Sequence, residues 1–179
     1  MKYQNFLSTV TFILTILLPQ SLFAHVMVAQ HGTLNVLDNG VFMVLSLPVS
    51  AFSGIDDDND GKLSSNEFSQ HRTAIARVVH KKVVLKDNNG KLALEDMILS
   101  PVMPHQAPNA PASQLIVMGK YNLPDPASPL EYKVELFGKA PAEQLLKISA
   151  NRKFDHKKQL AQLTPKSPSI IFFKHKQNF

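Results

Sequence analysis

Five residues between positions 56 and 67 have the types and the spacing that a hard cation requires. Asp56, Asp58 and Asp60 alternate with other residues, Gly61 follows them, and Glu67 completes the pattern D-x-D-x-D-G-x5-E. Calcium takes about six to eight oxygen ligands, so a short loop must wrap several of them around one point. Glycine at the sixth position permits a positive φ that a residue with a Cβ resists. The spacing therefore predicts a calcium site, in which Glu67 can offer both carboxylate oxygens.

The remaining positions of this stretch fit the same chemistry. Lys62 at position 7 needs to offer only its backbone carbonyl, and Ser64 at position 9 can bind the ion directly or through water. Leu63 at position 8 is apolar, so we expect it to pack the loop against the protein. An acidic surface turn is the alternative, but a turn alone does not require this register. The predicted metal ligands are Asp56, Asp58, Asp60, Lys62, Ser64 and Glu67.

The stretch resembles the calcium loop of EF-hand proteins, and every patterned position is filled. The resemblance covers the loop and the following helix, which Ser64-x-x-Glu67 begins as a capping box and which we expect over about 65–80. A strand and a short connection, 49–55, lead into the loop where an ordinary EF-hand has a helix. The stretch is therefore similar to the loop-helix half of a bacterial single EF-hand. Opening of the calmodulin kind needs two helices that change their angle, so the resemblance implies a structural ion more than a signalling one.

A similar string follows the helix, because residues 87–92 read D-N-N-G-K-L and residues 58–63 read D-N-D-G-K-L. A second calcium loop in that register would begin at Leu85, whose side chain carries no oxygen. Its flanks are also apolar and β-branched. We therefore predict a hairpin with an Asn-Gly turn here, and one unpaired EF-hand-type loop in the chain.

Short apolar or alternating stretches separated by turn residues predict a mainly β fold. Residues 130–137 alternate cleanly between apolar and charged side chains, which is typical of a strand with one buried and one wet face. A hairpin turn is expected at Asn39-Gly40, and the proline-rich residues 100–112 are expected to form a long exposed connection. We predict an immunoglobulin-like antiparallel β-sandwich, with the calcium loop and helix inserted at about 54–80. The predicted strands are 33–37, 41–47, 83–85, 92–94, 114–121, 130–137, 145–150, 159–163 and 170–173.

The first residues have the composition of a targeting segment. Lys2 precedes an apolar run, 6–18, and Ala24 is a small residue that suits a cleavage site. We expect a signal peptide at 1–24, a single domain at 25–179, and a periplasmic or secreted protein. An uncleaved membrane anchor is the alternative, although the run is shorter than a typical transmembrane helix.

Charge and cysteine content narrow the possible partners. The chain of 179 residues has no cysteine and a formal charge of +5, and basic residues are frequent in its C-terminal third. No disulfide can therefore stabilise it, and packing and bound calcium must do so. Nucleic acid is an unsuitable partner for an exported protein. An unidentified protein or an anionic membrane surface remains possible.

Hydrolytic catalysis has no support in the sequence, which lacks a cysteine nucleophile, G-x-S-x-G and H-E-x-x-H, so we expect a binding protein and not an enzyme. One alternative is a copper protein in which the mature N-terminal His25 and a second histidine, His31, His105 or His156, bind copper(II). This arrangement is similar to periplasmic copper carriers and copper-dependent polysaccharide monooxygenases. A fainter resemblance, carried by Leu47-Pro48 and the acidic loop, is to the extracytoplasmic segment of HupE/UreJ-type membrane proteins. It implies a membrane-associated accessory role.

Overall fold

A computed structural model describes residues 29–104, 107 and 110–174 of the chain. The predicted signal peptide, His25 and His105 lie outside these residues. Within them the chain forms ten strands, one α-helix and two short 3-10 turns. The elements are β1 (His31–Leu37), β2 (Gly40–Pro48), a 3-10 turn (Val49–Ala51), α1 (Ser65–Lys82), β3 (Val83–Asp87), β4 (Gly90–Leu92), β5 (Leu94–Val102), β6 (Gln114–Asn122), β7 (Leu130–Val134), a 3-10 turn (Pro141–Glu143), β8 (Leu146–Arg152), β9 (Lys157–Leu163) and β10 (Ser169–Phe172).

The strands form two sheets that share a core. Six strands are ordered β5-β6-β2-β1-β8-β9, and four are ordered β10-β7-β3-β4. Apolar residues of both sheets, of the loop before α1 and of α1 itself belong to one buried cluster. The prediction of a mainly β sandwich is confirmed. One pair, β1 with β8, is parallel and every other pair is antiparallel.

The two predicted hairpins are present, but each turn lies one residue earlier than the Asn-Gly dipeptides indicate. Gly40 already pairs with Leu37, and Gly90 already pairs with Asp87. Asp38 therefore takes the positive φ of the first turn, at 47°. Gly90 at φ 128° adopts a conformation that L residues rarely take, which explains why glycine stands at the first position of β4.

Several predicted strand limits differ by one or two residues, and the predicted strand 92–94 is divided, because β4 ends at Leu92 and β5 begins at Leu94. Two further limits are wrong for reasons of strand pairing. β5 continues through Pro101 to Val102, inside the predicted connection, because an edge strand can hold a proline whose missing N–H has no partner to lose. The predicted strand 130–137 ends at Val134, because its neighbours β3 and β10 extend no further along it. Leu136 is nevertheless buried.

Helix α1 begins and ends close to the predicted limits. Ser64 is its N-cap, and the helix runs two residues beyond the expected end, to Lys82. Ile75 and Val79, one turn apart, are fully buried and attach the helix to the core. The loop and α1 thus connect β2 of the larger sheet to β3 of the smaller sheet.

Candidate metal centre

The predicted metal loop is anchored at both ends and exposed in its middle. Ile55, just before the loop, is 3% exposed, and Leu63 at position 8 is fully buried. Residues 57–62 between them are exposed. The apolar anchors hold the ends of the loop in the core, and its acidic residues remain at the surface.

Three of the predicted ligands lie together. Asp56, Asp58 and Asp60 each offer a carboxylate oxygen, and these oxygens lie within 4.8 Å of one another. Oxygens that bind one calcium ion at about 2.3–2.6 Å can be at most about 5 Å apart. The three carboxylates therefore fit a shared calcium ion without a large rearrangement.

Backbone hydrogen bonds shape the loop around these carboxylates. The N–H groups of Asp60 and Gly61 donate to the two oxygens of Asp56, at 3.1 and 2.9 Å. The N–H of Lys62 donates to Asp60 Oδ1 at 2.7 Å. Gly61 has φ 78° and Asn59 has φ 60°, so the chain makes the sharp turn that the glycine predicts. All three N–H groups point inward, toward the carboxylates, so the loop is bent around the side chains of Asp56 and Asp60.

Glu67 lies in the first turn of α1 and joins the two ends of the loop. Its carboxylate is not part of the cluster that Asp56, Asp58 and Asp60 form. Its Oε1 accepts the N–H of Asp57 and its Oε2 accepts the N–H of Ser64, both at 2.7 Å. The side chain is 6% exposed. Hydrogen bonds from the side chain and backbone of Ser64, and then from the backbone of Asp57, lower the pKa of Glu67 to about 2.

The last two predicted ligands lie within the loop. Ser64 accepts the N–H of Glu67 through Oγ at 3.3 Å, which completes the predicted capping box. Lys62 is exposed, and its N–H is bound to Asp60 as described above. The structure thus brings three of the six predicted ligands together, and it gives Glu67 and Ser64 a helix-capping role.

Two contacts of the loop are not predicted by any pattern in the sequence. Leu63 and Ala112 exchange both backbone hydrogen bonds at 2.8 Å, so the loop is paired with the segment that leads into β6. Asp57, at position 2, has its carboxylate 2.9 Å from His71 Nε2 of α1. Both contacts join residues far apart in sequence, and neither Ala112 nor His71 stands out by type. The Asp57 carboxylate is engaged with the helix, which leaves the other three for an ion.

Two of the residues in the copper hypothesis, His25 and His105, lie outside the described residues. His31 Nδ1 is 2.8 Å from the carbonyl oxygen of Ala29. Over the described part of the chain, the Asp56, Asp58 and Asp60 group is the one cluster of three or more potential metal-binding side chains. The copper alternative stays a prediction from the sequence.

No helix within the described ranges has the length and apolar character required to cross a membrane.

Comparisons with known proteins give no family. No protein-family model matches the chain, and no curated protein matches it significantly. A crystal structure of a protein of unknown function from Burkholderia pseudomallei is similar over 74% of this chain and 54% of that one. The sequence identity is 13% and the TM-score is 0.23. The chain therefore spans about half of that protein's length.

Proposed function

We propose that the chain is an exported calcium-binding protein, with one EF-hand-type site at Asp56, Asp58, Asp60, Lys62, Ser64 and Glu67. The observation that supports it most is the approach of three carboxylates to within 4.8 Å in a loop already bent around them. Three like charges at this separation repel one another, and a divalent cation removes the repulsion. Binding of a calcium ion would therefore stabilise this arrangement of carboxylates.

The proposed role of the ion is structural, and the protein acts as a binding or accessory module and not as an enzyme. The loop is attached to the core through Leu63, and through Ala112 to the approach to β6. A strand and a 3-10 turn, not a helix, lead into it, so no pair of helices flanks the loop to change its angle. An ion here stabilises the arrangement of the loop, α1 and β6.

The proposed location follows from the N-terminal sequence. A signal peptide ending at Ala24 would deliver the protein to the periplasm or beyond, where calcium is plentiful. A weak site with Kd of about 10⁻⁴–10⁻³ M is filled under such conditions.

Calorimetric titration of the chain beginning at His25 tests the proposal with a matched pair of variants. Asp58→Asn replaces the carboxylate of one proposed ligand by a neutral amide and keeps an oxygen that can accept the Asp60 N–H, which now bonds Asp58 Oδ1 at 3.2 Å. Asp57→Asn removes the same charge from the neighbouring residue, whose carboxylate faces His71. We expect wild type to bind one calcium ion, Asp58→Asn to bind at least about tenfold more weakly, and Asp57→Asn to change by less than about threefold.

The matched pair separates ligation from simple electrostatic attraction. Equal weakening by the two variants would mean that calcium only responds to the negative charge of the loop. Absence of binding in wild type would reject the proposal.

A further inference from the structure

The two edges of the six-stranded sheet differ in their protection against pairing. An edge strand presents unpaired N–H and C=O groups, and prolines, bulges, lysines or short length usually block pairing there. β5, at one edge, contains Pro101 and a register shift between Glu95 and Ile98. β9, at the other edge, has seven residues in unbroken register with β8 and contains no proline. Its two lysines stand at its start, so the rest of the strand has none of these protections. The edge strands of the smaller sheet, β4 and β10, have only three and four residues.

A large apolar side chain projects from the middle of the unprotected edge. Leu160 is 76% exposed. Its neighbour across the sheet is Ser149 of β8, and the next residue in that row is Thr33 of β1. The side chains of Ser149 and Thr33 are too small to cover a leucine, so Leu160 stays exposed to solvent on the surface of its sheet.

We propose that β9 forms a homodimer interface, in which the β9 strands of two copies pair antiparallel about a two-fold axis at Leu160. Leu160 then lies opposite the partner's Leu160, and Gln159 lies opposite the partner's Ala161. The same faces of the two sheets stay on the same side, so the two six-stranded sheets become continuous. Each leucine gains the apolar cross-strand neighbour that its own sheet does not supply.

The charges of β9 are compatible with this register and exclude one centred at the start of the strand. Its charged residues are Lys157 and Lys158, at the start of the strand. With the axis at Leu160, Lys158 faces the partner's Gln162 and Lys157 faces the partner's Leu163, so no lysine opposes a lysine. A register centred on Lys158 would place the two ammonium groups opposite each other, and like charges directly opposed are destabilising. Among the registers that the lysines allow, the one centred on Leu160 is the one that pairs the two exposed leucines.

Sedimentation velocity over a concentration series tests the dimer with a matched control at the other edge. Wild type is expected to change from monomer to dimer as concentration rises. Leu160→Glu should weaken the dimer at least about tenfold, because two carboxylates would face each other across the axis. Ile98→Glu places the same charge at an exposed apolar residue of β5, 55% exposed, and should leave the dimer unchanged.

A charge-swap experiment tests the position of the axis. Leu160→Lys alone and Leu160→Glu alone are each expected to be monomeric, and an equimolar mixture should form a heterodimer, because opposite charges then meet. Circular dichroism checks that each variant is folded. The proposal is overturned if wild type is monomeric up to about 1 mM, if Leu160→Glu dimerises like wild type, or if the mixture stays monomeric. None of these results depends on calcium, so they stand apart from the proposed metal site.

Discussion

At the scale of a single side chain, the proposed function gives Glu67 a second role, as a calcium ligand, besides its hydrogen bonds within the loop. Each of its oxygens accepts one backbone N–H, from Asp57 or from Ser64. A carboxylate oxygen has two lone pairs, so each oxygen keeps the capacity to bind an ion. Glu67 can therefore hold the two ends of the loop together and, under the proposed function, also bind calcium.

Replacing Glu67 tests both roles. Glu67→Gln is expected to weaken calcium binding at least about tenfold, because it removes a charge and one ligand oxygen. It should also lower the unfolding temperature in a chelator, because the new amide NH₂ faces a backbone N–H that has lost its acceptor. Calorimetry measures the first effect and thermal unfolding the second, while circular dichroism should show intact strands. Unchanged calcium affinity would exclude Glu67 as a ligand.

A second residue-scale cluster lies away from the metal loop, at the turn between β8 and β9. The guanidinium of Arg152 is 5% exposed and lies 4.9 and 4.4 Å from the ring centroids of Phe154 and Phe173. Asp155 accepts hydrogen bonds from Arg152 Nε and Nη2, at 3.1 and 2.8 Å. Hydrogen bonding from Arg152, and secondarily from Lys157, holds the pKa of Asp155 well below its usual range.

The lowered pKa of Asp155 predicts part of the acid sensitivity of the protein. A carboxyl group with a lowered pKa in the folded state contributes stability above its ordinary pKa, about 3.9, and loses it as the pH falls through the folded value. Wild type should therefore lose stability more steeply below about pH 4 than Asp155→Asn, which has no group to titrate there. Thermal unfolding between about pH 6 and pH 2 measures the two curves. Parallel curves would show that the Arg152 pair does not persist in solution.

At the scale of an element, the metal loop depends on backbone conformations that its sequence permits. Gly61 and Gly54 have φ of 78° and 70°, and a Cβ added to either would meet no atom within 4 Å. An alanine at either site would therefore cause backbone strain without a steric clash. The two glycines form a matched pair, one within the proposed calcium loop and one before it.

Gly61→Ala and Gly54→Ala should each lower the free energy of unfolding by about 1–2 kcal/mol in a chelator, because each forces a Cβ into a left-handed conformation. Denaturant unfolding measures both. If Gly61→Ala costs nothing without calcium while Gly54→Ala does, the loop is not bent in the absence of the ion.

The elements differ in how far sequence could predict them. Helix α1, its capping box and the two hairpins depend on residues close in sequence, so local patterns predicted them to within a residue or two. The parallel pairing of β1 with β8 and the bridge between Leu63 and Ala112 join distant segments. Such pairings depend on the packing of the whole chain, which no local pattern records. The carboxylate triad was predictable for the same reason as the helix, because its spacing is local.

At the scale of the whole molecule, the loop is part of the core and not an appendage. Leu63 belongs to the buried cluster that includes both sheets, and Ala112, its backbone partner, precedes β6. An ion that fixes the loop should therefore stabilise the global fold. An ion bound to a loop that did not pack against the core would leave the stability of the global fold unchanged.

Calcium is accordingly expected to raise the unfolding temperature of the whole chain. An ion present at ten times its Kd adds about 1.4 kcal/mol of stability, which corresponds to about 3–6 °C for a chain of this size. Differential scanning calorimetry in calcium and in chelator measures the shift, and Asp58→Asn should show little of it at the same calcium concentration. Calcium binding by titration without a shift in unfolding temperature would contradict a structural role.

The most direct test of the calcium site is to locate the ion by amide chemical shifts during a calcium titration of the chain beginning at His25. The Gly61 N–H donates to Asp56 Oδ2 at 2.9 Å, so calcium on that carboxylate should change the resonance of this amide strongly. We predict one saturable transition, with the largest shifts between residues 56 and 67 and smaller ones at Ala112. Unchanged loop amides at about 10 mM calcium, well above the range of weak extracellular sites, would contradict the assignment of this loop as a calcium site.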